Sequence, residues 1–153
     1  SFGMRHVLIV EDNVLKEARI RDVLSLIPEI EFTVCRSVKA AYPLLEVQQW
    51  NLILLDMSFQ VSPDSGTEIK KKPLAGRQIL QFMRARNLML PVIVVTQHAS
   101  FSEGQTVIAS IKDLDTKLRR YFPGIYQATV YVDLATDGWH DELISYSKRA
   151  IYG

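Results

Sequence analysis

Val7-Leu8-Ile9-Val10-Glu11-Asp12-Asn13 runs from four consecutive apolar residues into two acids and an amide. A strand with one wet face alternates apolar and polar side chains. A strand covered on both faces, as in a parallel sheet, does not. The stretch therefore predicts a buried strand whose carboxyl end carries Glu11 and Asp12. Asn13 can then cap a helix over 13–27, with Pro28 beyond its end. Four more apolar runs follow: Phe32-Thr33-Val34-Cys35, Leu52-Ile53-Leu54-Leu55, Pro91-Val92-Ile93-Val94-Val95 and Thr129-Val130-Tyr131-Val132. Helical periodicity fills the intervals. Gly76, Ile79, Leu80 and Met83 share one face, and Ile108, Ile111, Leu114, Leu118 and Phe122 share another. Ser37 can cap a helix over 38–49. Ser102-Glu103-Gly104-Gln105 has the capping-box form and predicts a lengthened helix over 103–122. Asp137 can cap a last helix carrying Trp139, Leu143 and Tyr146. Strand and helix thus alternate along the whole chain, which predicts an α/β sheet with helices on both faces.

Size and composition agree. The chain has 153 residues, 48% hydrophobic and 23% charged, with a net charge of +1. That is one domain's worth, able to bury roughly 70% of its unfolded surface. The near-neutral balance gives no electrostatic footprint for nucleic acid or an anionic membrane. The single cysteine, Cys35, excludes an internal disulfide and a cysteine-rich zinc site, and reads as a buried strand residue. No apolar run approaches the ~18 residues of a membrane span, so the expected compartment is the cytoplasm. Ser1-Phe2-Gly3 ahead of Met4 reads as an added remnant, which leaves 4–153 as the domain. Two segments exceed what a compact α/β unit needs: an inserted loop at 58–73, rich in turn formers, and an expanded stretch at 97–127.

Three acids sit at predicted strand ends. Glu11 and Asp12 follow the first apolar run, and Asp56 follows Leu52–Leu55. In a parallel α/β sheet, carboxyl ends of strands line the crevice where ligands bind. If the first and third strands are neighbours, the three carboxylates meet. Such a cluster raises at least one pKa unless a cation is present, and a hard divalent ion such as Mg²⁺ suits oxygen ligands of this kind. The plain alternative is that a strand-end acid merely caps a helix, as Asp12 could. Thr96 ends the fourth run, where its hydroxyl faces the same crevice and could bond a phosphate oxygen.

Glu11-Asp12 after Val7–Val10, Asp56 in Leu-Leu-Asp-Met, and Thr96 in Val-Val-Thr together resemble the receiver domains of two-component response regulators. Leu74-Ala75-Gly76-Arg77 is similar to that family's Gly-containing entry to its third helix. The resemblance covers nearly the whole chain apart from the two long segments. It implies a flavodoxin-like three-layer sandwich with a five-stranded parallel sheet of order 2-1-3-4-5. It further implies Asp56 as phospho-acceptor and Thr96 as the switch hydroxyl. Glu11, Asp12, Asp56 and the backbone carbonyl of Ser58 would be the Mg²⁺ ligands. A histidine kinase or phosphotransfer protein would stand upstream and an unnamed protein downstream.

The pattern breaks at the fifth strand. The family places a lysine there, whereas this chain has Asp133, or Leu134 in a shifted alignment, and no Lys or Arg between Arg120 and Lys148. A fourth carboxylate at that place would oppose the phosphorylated state. Lys70, Lys71 or Lys72 could fold over the pocket as a substitute, or simply edge a solvated loop. Gln97 stands where the family prefers a small residue. His98 and His140 lack a partner set at metal spacing, and Trp50 and Trp139 suit core anchoring.

Three functions follow. The first is a stand-alone receiver in phosphorelay signalling that accepts a phosphoryl group on Asp56 and acts by protein contact. It would be no enzyme beyond self-phosphorylation from small phosphodonors. The second is a pseudo-receiver, an interaction module that works without phosphate. The third is a small Mg²⁺-dependent phosphohydrolase. Against it, haloacid-dehalogenase phosphatases carry an Asp two residues after the nucleophile, where this chain has Ser58. The exposed helix over 103–122 would offer a face for a homodimer.

Overall fold

The computed structural model describes residues 3–47, 49–60 and 71–153. The elements in chain order are β1 (Arg5–Val10), α1 (Val14–Leu24), β2 (Ile30–Cys35), α2 (Val38–Glu46), β3 (Leu52–Leu55), β4 (Phe59–Gln60) and β5 (Lys71–Lys72). Then come α3 (Gly76–Ala85), β6 (Val92–Thr96), β7 (Phe101–Glu103), β8 (Thr106–Ile108), α4 (Ile111–Tyr121), β9 (Tyr126–Tyr131) and α5 (His140–Tyr152).

All five apolar runs form strands of one parallel sheet, in the order β2-β1-β3-β6-β9. This is the expected flavodoxin-like order, with the two small hairpins β4-β5 and β7-β8 standing outside it. The runs are continuous because each face of the sheet is covered. Leu8, Val10, Ile53, Leu55, Val92 and Val94 point to one side, where Val38, Ala41 and Leu45 of α2, Ile79, Leu80 and Met83 of α3, and Leu114 and Leu118 of α4 cover them. Val7, Ile9, Leu52, Leu54, Ile93 and Val95 point to the other, against Ile20, Val23 and Leu24 of α1, Trp139 just ahead of α5, and Leu143 of α5. Cys35, Trp50 and Trp139 are buried, as their sequence contexts predict.

The caps hold at two helices. The Asn13 side chain accepts from the Lys16 N–H, and the Ser37 hydroxyl accepts from the Ala40 N–H. Both helices end a turn earlier than expected, at Leu24 and Glu46. The last helix starts at His140, and Asp137 contributes its backbone carbonyl to the His140 N–H.

The predicted helix over 103–122 is corrected in its first half. Residues 101–108 fold as the hairpin β7-β8, with Glu103 opposite Thr106. Gly104 at φ +61° takes the first central position of the two-residue turn, which favours glycine. Thr106-Val107-Ile108 are β-branched and suit the return strand. The helix begins at Ile111, and Ser110 caps it by accepting from the Asp113 N–H. Ile108 is therefore a buried strand residue and not part of the helical stripe. The face offered for a homodimer is shortened accordingly. Among the described residues, no helix is long and apolar enough to cross a membrane.

Candidate metal and phospho-acceptor site

β1 and β3 are neighbours in register, with Val10 opposite Leu55. The Asp56 N–H donates to the Val10 carbonyl at 3.0 Å, and the Glu11 N–H to the Cys35 carbonyl at 3.0 Å. The next side chains of both strands therefore emerge together at the carboxyl edge. One carboxylate oxygen each from Glu11, Asp12 and Asp56 lies within 4.8 Å of the others. Glu11 and Asp56 are buried, and Asp12 is half-buried. Oxygen ligands at this spacing fit Mg²⁺ or Mn²⁺ in the chemistry of their donor set.

The electrostatics follow from crowding. Burial pushes the Glu11 carboxyl up to about 8; the Lys16 ammonium opposes this, and the Asp56 charge adds to it. Burial and the neighbouring Asp56 charge thus raise the Glu11 carboxyl, as desolvation and charge repulsion require. The side-chain hydrogen bonds to Asp56 among the described residues converge on Oδ1, from Met57 N–H at 2.8 Å and Ser58 N–H at 3.4 Å. Glu11 Oε2 accepts from the Asn13 N–H at 3.1 Å.

Thr96 ends β6, the strand beside β3, and is fully buried. Its hydroxyl oxygen accepts from the His98 N–H at 3.1 Å, which holds the hydroxyl at the carboxyl edge. Gly76, at the start of α3, donates its N–H to the Met57 carbonyl at 2.9 Å, packing that helix directly behind the Asp56 backbone.

The expectation of a fourth carboxylate in the pocket is corrected, while the fifth strand is still followed by no lysine before Lys148. Asp133 is exposed, and its carboxylate accepts from the Ala135 N–H at 3.0 Å within its own loop. The acidic group found among the described residues comprises Glu11, Asp12 and Asp56, without Asp133. Of the lysines considered as substitutes, Lys70 lies outside the described residues, Lys71 belongs to β5, and Lys72 is exposed. His98 is exposed and His140 stacks edge-on against Trp139, so neither belongs to the acidic group.

Sequence reasoning missed Lys16. Its ammonium lies 2.5 Å from Glu11 Oε1 and 3.1 Å from Asp56 Oδ1, and donates to the Val95 carbonyl at 2.8 Å. The residue is 1% exposed. A signal for it was present. Lys16, Ile20, Val23 and Leu24 form the buried stripe of α1 at helical spacing, while Val14 and Leu15 are exposed.

This is the fold of response-regulator receiver domains, with Glu11, Asp12 and Asp56 together at one sheet edge and Thr96 ending the neighbouring strand. No protein-family model matches the chain. It is 26% identical over 148 residues to the Detocs response regulatory protein DtcB of Enterobacter cloacae, covering 90% of this chain and 95% of that protein. Among solved structures it is similar to the signal receiver domain of a Vibrio parahaemolyticus protein, with a TM-score of 0.65, 18% identity, and 96% and 92% of the two chains covered. It is also similar to the Mn²⁺-bound form of the response regulator Rcp1, with a TM-score of 0.60, 19% identity, and 94% and 92% covered.

Proposed function

We propose that this chain is a phospho-acceptor receiver module of a phosphorelay, phosphorylated on Asp56 and acting through protein contacts in the cytoplasm. The carrying observation is the meeting of Asp56 with Glu11 and Asp12 at one sheet edge, within 4.8 Å. The fold is typical of non-enzymatic signalling modules, and the likeness to a response regulatory protein supports the same role. The Mn²⁺-bound Rcp1 relative supports a divalent ion held by Glu11, Asp12, Asp56 and the Ser58 carbonyl.

The chemistry is a displacement at phosphorus. An oxygen of the Asp56 carboxylate attacks, the Asp56 O–P bond forms, and the bond from phosphorus to the donor breaks. The donor keeps the electron pair, whether it is a histidine imidazole of a kinase or phosphotransfer protein, or a small acyl phosphate. The Met57 and Ser58 N–H groups donate to Oδ1 and orient the carboxylate. A divalent ion, when bound, offsets charge on the transferring group. Thr96, at the end of the next strand, supplies a hydroxyl donor for a phosphoryl oxygen.

Incubation with acetyl phosphate and Mg²⁺ followed by intact mass tests this reading. One phosphoryl group is expected on the wild type, none on Asp56→Asn, and none after chelation of the metal. A wild type that gains no phosphate and binds no Mg²⁺ would overturn it in favour of the phosphate-independent interaction module. Turnover of simple phosphate monoesters would favour the phosphohydrolase.

A further inference from the structure

We propose that Lys16 is the resident positive charge of this pocket: it enters from α1, pairs with Asp56 and Glu11 when the pocket is bare, and pairs with the phosphoryl oxygens when Asp56 is modified. The inference rests on the phospho-acceptor reading above and assigns a residue to it. An ammonium has three donors; this one donates to the Val95 carbonyl and lies in ion-pair range of Glu11 and Asp56, so its contacts come from the ends of three adjacent strands. Glu11 follows β1, Asp56 follows β3, and Val95 lies in β6 beside Thr96.

A lysine is almost never fully buried unless paired, because removing its charge from water is expensive. Lys16 is 1% exposed although it sits in the first turn of a helix whose neighbouring Val14 and Leu15 are 63% and 62% exposed. Water was therefore within easy reach of that turn, and the chain instead turns two apolar side chains outward and the charge inward. A methionine would fill the same stripe with Ile20 and Leu24 at far lower desolvation cost, but would remove the ammonium that Glu11 and Asp56 contact. Burying the cation stabilises little by itself; it supplies the pocket with a fixed positive charge.

The charge count gives that cation its use. With Glu11 ionised, as metal ligation requires, the ammonium faces two carboxylates and offsets one of them, which leaves negative charge for a divalent ion. A phosphoryl group on Asp56 adds negative charge within reach of an ammonium already 3.1 Å from Oδ1. The ammonium is a compact charge on a flexible stem and can follow that group. Its bond to the Val95 carbonyl joins the same event to the strand end that carries Thr96. The pocket thus keeps a lysine although the fifth strand supplies none.

The test uses the full chain with Lys16→Met, and with Lys16→Gln to keep a polar head. Mg²⁺ affinity and phosphoryl gain from acetyl phosphate are measured side by side. Loss of the positive charge is expected to tighten Mg²⁺ at least about tenfold, through plain Coulomb attraction. It is expected to slow phosphoryl gain about a hundredfold, through lost charge stabilisation. A merely structural lysine would not move the two in opposite directions. Variants that label at the wild-type rate with unchanged Mg²⁺ affinity would overturn the proposal. If the wild type itself takes no phosphate, the phospho-acceptor reading fails, and Mg²⁺ affinity alone decides for Lys16: tighter in the variants supports it, unchanged or weaker overturns it. Should both variants unfold, nitrogen-15 labelling of the wild-type lysines decides. The buried ammonium resonance must shift on adding Mg²⁺ or acetyl phosphate, and a resonance that stays put counts against the proposal.

Discussion

Gly76 has no room for a side chain. A Cβ there would lie 2.6 Å from the Asp56 carbonyl oxygen and 3.0 Å from the Met57 Cα. Both are backbone atoms, so no rotamer change relieves the contact. Gly76→Ala must push α3 away from β3 or displace the Asp56-Met57 peptide. It is expected to cost about 1–3 kcal/mol, as overpacking usually does, and to slow phosphoryl gain on Asp56 because the carboxylate moves with its backbone. Thermal melting and intact-mass labelling check the two effects. A variant as stable and as readily labelled as the wild type would contradict this packing. The sequence marked Gly76 as a helix entry on the family resemblance; the reason for it, a backbone approach across 20 residues of chain, belongs to the fold.

At the scale of elements, α4 is tied to β9 by a polar knot. The Tyr126 hydroxyl donates to Asp115 Oδ1 at 2.6 Å, and Arg119 donates to the same oxygen at 2.8 Å. Burial alone would raise the Asp115 carboxyl, but the hydrogen bonds from Tyr126 and Arg119 outweigh it and leave it lowered. An acid whose pKa is depressed on folding contributes stability above its ordinary value, 3.8 here, and loses it as pH falls through the folded value. Tyr126→Phe is expected to cost about 1 kcal/mol at neutral pH, a modest figure because Asp115 is partly in water. The penalty should fade below pH ~4 as Asp115 protonates in both proteins. Denaturant unfolding of the pair across that range checks it, and a penalty independent of pH would show that Asp115 is not the partner that matters. At the same scale, the capping-box form at Ser102–Gln105 misled because four residues cannot distinguish a helix start from a tight turn. The distinction came from Gly104 and the β-branched Thr106-Val107-Ile108 beyond it.

For the whole molecule, a metal ion held in the acidic pocket would join binding to stability. A ligand that binds only the folded state adds about 2.7 kcal/mol at a hundred times its Kd, or about 5–10 °C in melting temperature for a chain of this size. Mg²⁺ is expected to act this way. The effect should grow as pH rises toward about 8, because Glu11 holds its proton up to that value without metal and must lose it to become a ligand. The sign without metal is opposite. A carboxyl raised on folding binds its proton more tightly in the folded state, so metal-free stability should fall between its ordinary value of 4.5 and about 8. Melting curves with and without Mg²⁺ across this window test both slopes, and parallel curves would count against Glu11 as a ligand.

The sequence by itself determined the sheet, its five strands and three of the pocket's acids. Continuous apolar runs leave a strand no solvent face, and residues that directly follow such runs must emerge at the edge where strands end. It also marked Thr96 and Gly76 by their places in that pattern. Only the tertiary structure decided where the pocket's positive charge comes from. Lys16 is near Glu11 in the chain, but it meets Asp56 across 40 residues and Val95 across 79. A lysine's long stem can point outward or inward from one helical position. Packing chose inward, because the ends of β1, β3 and β6 supply its polar contacts there.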